Sequence, residues 1–148
     1  MGEQARAAEG KPIPLPDIDT APYWSAALEG RLSLPCCACC GQFVFPPKPF
    51  CPACPGHPLA WKDVSGRGSI YSYCIMHMKL IAGFEPPYLI GVIELREQTG
   101  LRITANIVDC PPEAVRIGMP VEVIFERRNS GVALPQFRLR SASFRATS

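Results

Sequence analysis

The sequence predicts a mainly β chain: a short N-terminal helix, a cysteine-rich ribbon and a five-stranded closed barrel, in that order. Three observations carry this prediction. Six of the 8 cysteines crowd between Cys36 and Cys54. The 17 prolines lie far above the roughly 5 % average and impose short elements with fixed turns. From Trp61 onward, apolar residues recur with the period of two that marks strands.

Composition narrows the classes. The 148 residues suit one ordinary domain, or a small domain with an appendage. A hydrophobic share of 47 % supports a core and excludes full-length disorder. The formal net charge of +2 is too weak to make nucleic acid or an anionic membrane the expected partner. No apolar run reaches the roughly 18 residues of a membrane span. Met1 to Lys11 has no hydrophobic stretch of a secretory signal. A cytoplasmic protein is therefore expected.

Residues 1–16 read as a flexible tail and residues 17–30 as the helix. Asp19 or Thr20 can cap that helix, Pro22 suits its first turn, and Gly30 can end it. Tyr23, Trp24, Ala27 and Leu28 form an apolar stripe that can pack on its own domain or on a partner. Residues 31–60 form the ribbon, where seven prolines keep regular structure from running far. Residues 61–144 form the barrel. Its expected strands are Ser69–Met78, Tyr88–Leu95, Leu101–Val108, Pro120–Glu126 and Leu134–Arg140. Tyr88–Leu95 is nearly all apolar and reads as buried on both faces. In the last strand Phe137 and Leu139 should face inward, against Gln136, Arg138 and Arg140. A helical or 3-10 link over Pro111 to Ile117, stopped by Gly118, separates the third strand from the fourth. A link in that place suits an OB-fold barrel, with an SH3-like barrel as the alternative.

Two C-x2-C pairs carry the strongest chemical signal: Cys37 with Cys40, then Cys51 with Cys54. Two residues between thiols let both reach one ion, and Gly41 follows where a knuckle turn often needs positive φ. Four thiolates give zinc a complete tetrahedron, hence one structural, redox-inert Zn2+. Iron could use the same ligands. Cys36 and Cys39 also make a C-x2-C pair, so the register has an alternative, although Gly41 favours Cys37 and Cys40. His57 could replace one thiolate. Cys74 and Cys110 read as free thiols outside the cluster.

No nucleophile motif, phosphate loop or paired-carboxylate signature is present, so no catalytic residue is expected. His77, at the end of the first barrel strand, reads as a structural hydrogen-bonder. The loop Lys79 to Pro87 carries Leu80, Ile81 and Phe84 beside Pro86 and Pro87. It can fold over the barrel mouth or cover a partner or ligand tunnel.

The chain resembles the zinc-ribbon plus OB-fold proteins of acyl-CoA metabolism, long catalogued as a domain of unknown function. The resemblance runs from Tyr23-Trp24 through Gly30-Arg31-Leu32, Cys37-x-x-Cys40-Gly41, Phe45-Pro46-Pro47-Lys48 and Cys51-Pro52-x-Cys54. It continues through Trp61, Gly66 to Ser72, Pro87-Tyr88, Ile117-Gly118, Val121-Glu122-Val123 and Leu134 to Phe137. It implies a rubredoxin-like zinc ribbon. It also implies a non-catalytic accessory subunit in a hetero-oligomer with a thiolase-like enzyme: an acyl-CoA thiolase, a side-chain aldolase or an acyltransferase. Tyr23, Trp24, Leu80, Ile81 and Phe84 are then the expected partner interface. Two other functions remain open. A free-standing acyl-CoA binder could use Lys48, Arg67 or Arg116 on the CoA phosphates. A single-stranded nucleic-acid binder could use Arg67, Arg102, Arg127, Arg128, Arg138 and Arg140, but alternation makes several of these solvated strand faces.

Overall fold

A computed structural model describes residues 12–55, 57–128 and 131–140. Of the expected tail, residues 12–16 carry no helix or strand, and residues 1–11 lie outside the described residues, as do 141–144 of the expected barrel.

The helix α1 spans Ala21–Leu28, shorter than the expected 17–30. Asp17 causes the late start. Its Oδ1 accepts hydrogen bonds from the Thr20 N–H and hydroxyl, both at 2.9 Å, and from the Asp19 N–H at 3.0 Å. This closes a separate turn before the helix. Thr20 holds the N-cap position without a side-chain cap, so neither it nor Asp19 plays the expected role. The C-terminal stop is as expected. Gly30 has φ +77°, and the Gly30 and Arg31 N–H groups return to the carbonyls of Ala27 and Ala26. That pair of bonds is a Schellman motif, which needs a left-handed residue.

Two strands appear where the prolines argued against regular structure. β1 (Leu32–Cys37) and β2 (Leu59–Val64) form a two-stranded antiparallel sheet, with Pro35 opposite Trp61. The Pro35 carbonyl accepts the Val44 N–H at 2.9 Å, so Pro35 turns its backbone away from β2 and its missing N–H removes no bond of the β1–β2 ladder. β2 runs across the expected division at residue 60 and pairs with the ribbon.

The barrel strands are β3 (Arg67–Met76), β4 (Tyr88–Leu95), β5 (Arg102–Val108), β6 (Pro120–Arg128) and β7 (Val132–Leu139). A 3-10 turn at Pro112–Ala114 lies inside the expected link. The closed order is β3-β4-β5-β7-β6, with β3 pairing back to β6 and only β5–β7 parallel. This connectivity, with the link between third and fourth barrel strands, is that of the OB-fold and replaces the SH3-like alternative.

Two burial expectations change. β4 is not buried on both faces: Leu89, Gly91, Ile93 and Leu95 face inward, while the alternate residues are half-buried. Gln136, expected outside, is buried and donates from Nε2 to the Glu126 carboxylate. Phe137 faces inward as expected and is fully buried.

The ribbon and barrel share one core. Leu32 and Leu34 from β1 and Tyr23 from α1 join Ile70, Ile93, Val121 and Phe137 in one cluster. Burying a side chain such as Leu34 contributes about 1.5–3 kcal/mol. Gln98, in the β4–β5 turn, adds a polar clamp. Its Oε1 accepts from the Phe43 N–H at 2.8 Å, and its Nε2 donates to the Phe43 carbonyl at 3.1 Å. One side chain thus mimics a strand partner for the ribbon.

Candidate metal centre and barrel loop

The metal centre lies at the far end of β1. After Cys37 the chain turns through Ala38 to Cys40, and the Gly41 N–H bonds the Cys37 carbonyl at 2.7 Å. Gly41 has φ +73°, the conformation expected of it. The second knuckle is closed by the Cys54 N–H on Cys51 Sγ at 3.3 Å. His57 braces it through the backbone: its carbonyl accepts from the Cys51 N–H and its N–H donates to the Cys54 carbonyl.

The Sγ atoms of Cys37, Cys40, Cys51 and Cys54 all lie within 4.8 Å of one another. A zinc–sulfur distance of about 2.3 Å in a regular tetrahedron puts sulfurs about 3.8 Å apart. Cys40 and Cys51 are 3.7 Å apart. The electrostatics fit a cation as well. The Cys37 thiol is drawn down to about 7, chiefly by the Cys40 backbone N–H. Cys54 is pushed up to about 12, first by its hydrogen bond with the Cys40 thiol and then by burial. Four crowded sulfurs cannot all ionise alone, and a divalent cation removes that conflict. Cys36 and Cys39 are outside the group. Cys36 is buried with Sγ 3.5 Å from the Gly41 carbonyl, and Cys39 is exposed. The His57 side chain is not among the grouped donors.

The expected interface residues divide. Tyr23 is only 6 % exposed and packs into the chain's own core, its ring 5.7 Å from Phe45, so it offers little to a partner. Burial also raises its phenol pKa. Trp24 is partly buried against the same core. The β3–β4 loop differs: Leu80 is 63 % and Ile81 44 % exposed. Phe84 is half-buried, its ring 5.2 Å from Tyr88. Below it lies a cleft of about 280 Å3 bordered by Tyr88, Asn106, Cys110, Glu126 and Gln136. His77 is exposed just past β3, in the loop and not in the strand.

Sequence reasoning missed Gln98, whose partner Phe43 lies 55 residues away and leaves no periodic trace. It also missed Arg31, which joins Asp63 across the ribbon at 2.7 Å.

These features define a class: a saturated four-thiolate ribbon fused to an OB barrel. Residues 24–60 match the family model for the ChsH2 rubredoxin-like zinc ribbon domain, and residues 61–126 match that for the ChsH2 C-terminal OB-fold domain. The chain is 34 % identical over 128 residues to a probable enoyl-CoA hydratase alpha subunit of Thermomonospora curvata, covering 86 % of this chain and 40 % of that one. It is 43 % identical over 95 residues to a DUF35 domain-containing scaffold protein of Methanocaldococcus jannaschii, covering 62 % of this chain and 64 % of that one. A benzoylsuccinyl-CoA thiolase subunit, BbsA of Thauera aromatica, is 37 % identical over 75 residues, with 51 % and 50 % covered. A solved structure described as an Ltp2-ChsH2(DUF35) aldolase superposes with a TM-score of 0.79 at 34 % identity, covering 86 % of this chain and 98 % of that chain. The chain thus spans less than two thirds of the curated relatives it matches first.

The chain belongs to the ChsH2 family of DUF35 proteins, in which a rubredoxin-like zinc ribbon precedes an OB-fold. Its four clustered cysteines hold one structural zinc ion. Zinc there fixes the two knuckles and offers no open position for chemistry. Among the described residues, no helix is long and apolar enough to cross a membrane.

Proposed function

We propose that this chain is a non-catalytic subunit of a thiolase-superfamily enzyme acting on acyl-CoA, and that it completes that enzyme's fold or substrate channel. The similarity that spans 98 % of the ChsH2 chain in the aldolase structure carries this reading. The site chemistry agrees. The zinc ligands form a closed set, which leaves no place for an activated water. The arginines weighed for nucleic acid are largely engaged. Arg138 meets Glu122, Arg128 meets Glu126, and Arg127 donates to the Leu28 carbonyl. Arg102 stacks 3.6 Å over the Tyr71 ring.

The docking face we assign is the β3–β4 loop, through Leu80, Ile81 and Phe84, with Trp24 as a secondary contact and Tyr23 supporting it from the core. The test is co-expression with a candidate thiolase-like protein from the same organism. The two should co-purify, and acyl-CoA turnover should require both. Removing a hot-spot side chain costs roughly 2 kcal/mol, more than tenfold in affinity. Leu80→Ser with Phe84→Ala should weaken the complex by that much and leave the zinc content of the free chain unchanged. Turnover by the chain alone, or failure to assemble, would reject the proposal.

A further inference from the structure

We propose that the open edge of β2, in the ribbon, is completed by an extended strand of the partner enzyme that alternates apolar and acidic residues; this rests on the subunit reading above. The register of the ribbon sheet decides which backbone groups are open. Pro35 has no N–H, and its carbonyl accepts the Val44 N–H at 2.9 Å, while the Cys37 N–H donates to the Gln42 carbonyl at 2.9 Å. Pro35 and Cys37 therefore turn their backbones away from β2. Their cross-strand partners Trp61 and Leu59, and Asp63 opposite Ser33, turn away from β1 in the same way. The ladder bonds run instead through Leu34 with Lys62 and Cys36 with Ala60. β2 pairs with β1 alone, so its other side is an edge.

Both ends of that edge are closed within the chain. Phe50 bridges Pro58 just before β2, and just after it the Ser65 N–H donates to Glu97 Oε2 at 2.8 Å. Between these closures the N–H and C=O groups of Trp61 and Asp63 point outward, and among the described residues they have no hydrogen-bond partner. Such groups are a template for another strand. The side chains set which strand fits, because directly opposed residues share a face of a sheet. Trp61 is half-buried, so an apolar residue opposite it would cover the rest of its ring. Lys62 is exposed, and among the described residues no carboxylate lies within ion-pair distance of it. An acidic residue opposite Lys62 supplies that partner. Asp63 already meets Arg31 at 2.7 Å and asks for no further charge. A second copy of the chain does not suit the edge. Every two-fold antiparallel register that joins these groups brings Lys62 opposite or diagonal to its own copy, where like charges repel. The occupant is therefore a different chain.

The test is residue-resolved amide exchange on the zinc-loaded full chain, alone and in complex with a candidate thiolase-like protein from the same organism. Alone, the Lys62 amide should exchange slowly and the Trp61 and Asp63 amides fast, at every concentration. In the complex all three should be slow. Asp63→Pro removes one outward N–H and spares the β1–β2 ladder, and Asp63→Asn keeps that N–H while losing the same ion pair to Arg31. Asp63→Pro should bind the partner about fivefold more weakly than Asp63→Asn, the net worth of roughly one hydrogen bond, with full zinc content in both. Lys62→Glu should weaken the complex by about threefold or more. It changes only an exposed side chain, so it tests the edge even where Asp63→Pro fails to fold. Fast Trp61 and Asp63 amides in an assembled complex would overturn the added strand and leave the subunit reading standing, whereas failure to assemble would remove both. Unchanged affinity in Lys62→Glu and in folded Asp63→Pro would also overturn it. Protection in the free chain that rises with concentration would give the edge to a second copy, and protection at every concentration would give it to the chain's own residues; either result overturns the proposal.

Discussion

Among the described residues the ribbon holds a two-stranded sheet, and its two cysteine knuckles are joined through one ion; the barrel closes five strands on themselves through backbone hydrogen bonds. The contrast lies in how many residues specify each shape. In the barrel, inward residues from every strand contribute, among them Ile70, Ile93, Ile103, Val121 and Phe137. In the ribbon, four sulfurs carry most of the specification, and Leu32 and Leu34 tie it to the common core. A distributed core tolerates single losses, whereas a metal centre does not.

The largest expected effect follows from that contrast. Structural zinc contributes about 10–16 kcal/mol of apparent binding energy in small sites. Cys51→Ser should therefore lose most of the metal. Amide exchange should then accelerate at Cys37 and Val44 and remain slow at Ile93 and Leu95. Zinc affinity in the unmodified chain should fall with falling pH, because the thiolates must lose their protons to bind. Equal acceleration in the barrel would mean that the two regions do not separate at all.

A second, smaller effect concerns the helix that packs on both regions. Tyr23 is buried with its phenol pKa raised above the usual value of about 10. Below pH 10 the phenol is neutral in both folded and unfolded chains, so its burial contributes fully. Above pH 10 the unfolded chain ionises first, and stability falls by up to about 1.4 kcal/mol per pH unit until the folded pKa is reached. Tyr23→Phe should flatten this alkaline loss, measured by urea unfolding at pH 9 and pH 11. An unchanged slope would place the phenol in water and detach the helix from the core.

How much of this was legible in the sequence also differs between the regions. The zinc ligands were readable because the chemistry is local: C-x2-C spacing and a following glycine fix which sulfurs converge. The barrel strands were readable because alternation is local too. β1 was hidden because Pro35 is tolerated in a strand only where no ladder bond needs its N–H, and which way that position faces is a property of the sheet. Gln136 was misplaced because alternation tells which residues share a face, not what covers that face. Tyr23 suited either a core or an interface for the same reason.

The smallest expected effect tests the joint between the two regions. Gln98 makes two hydrogen bonds to the Phe43 backbone, and each such bond contributes about 0.5–1.5 kcal/mol net. Gln98→Ala should therefore cost about 1–3 kcal/mol, with the loss concentrated in the ribbon, since the barrel keeps its own ladder. Gln98→Glu sharpens the point. Its carboxylate can still accept from the Phe43 N–H but sets a second oxygen against the Phe43 carbonyl, so it should restore none of the loss. In urea, the unmodified chain should unfold in one transition, because β1 shares the barrel core. The Gln98→Ala chain should show the ribbon opening first, with fast exchange at the Phe43 amide while β4 stays protected. A single unshifted transition in that variant would assign the coupling to Leu32, Leu34 and the helix alone, and would leave Gln98 as a surface contact without energetic weight.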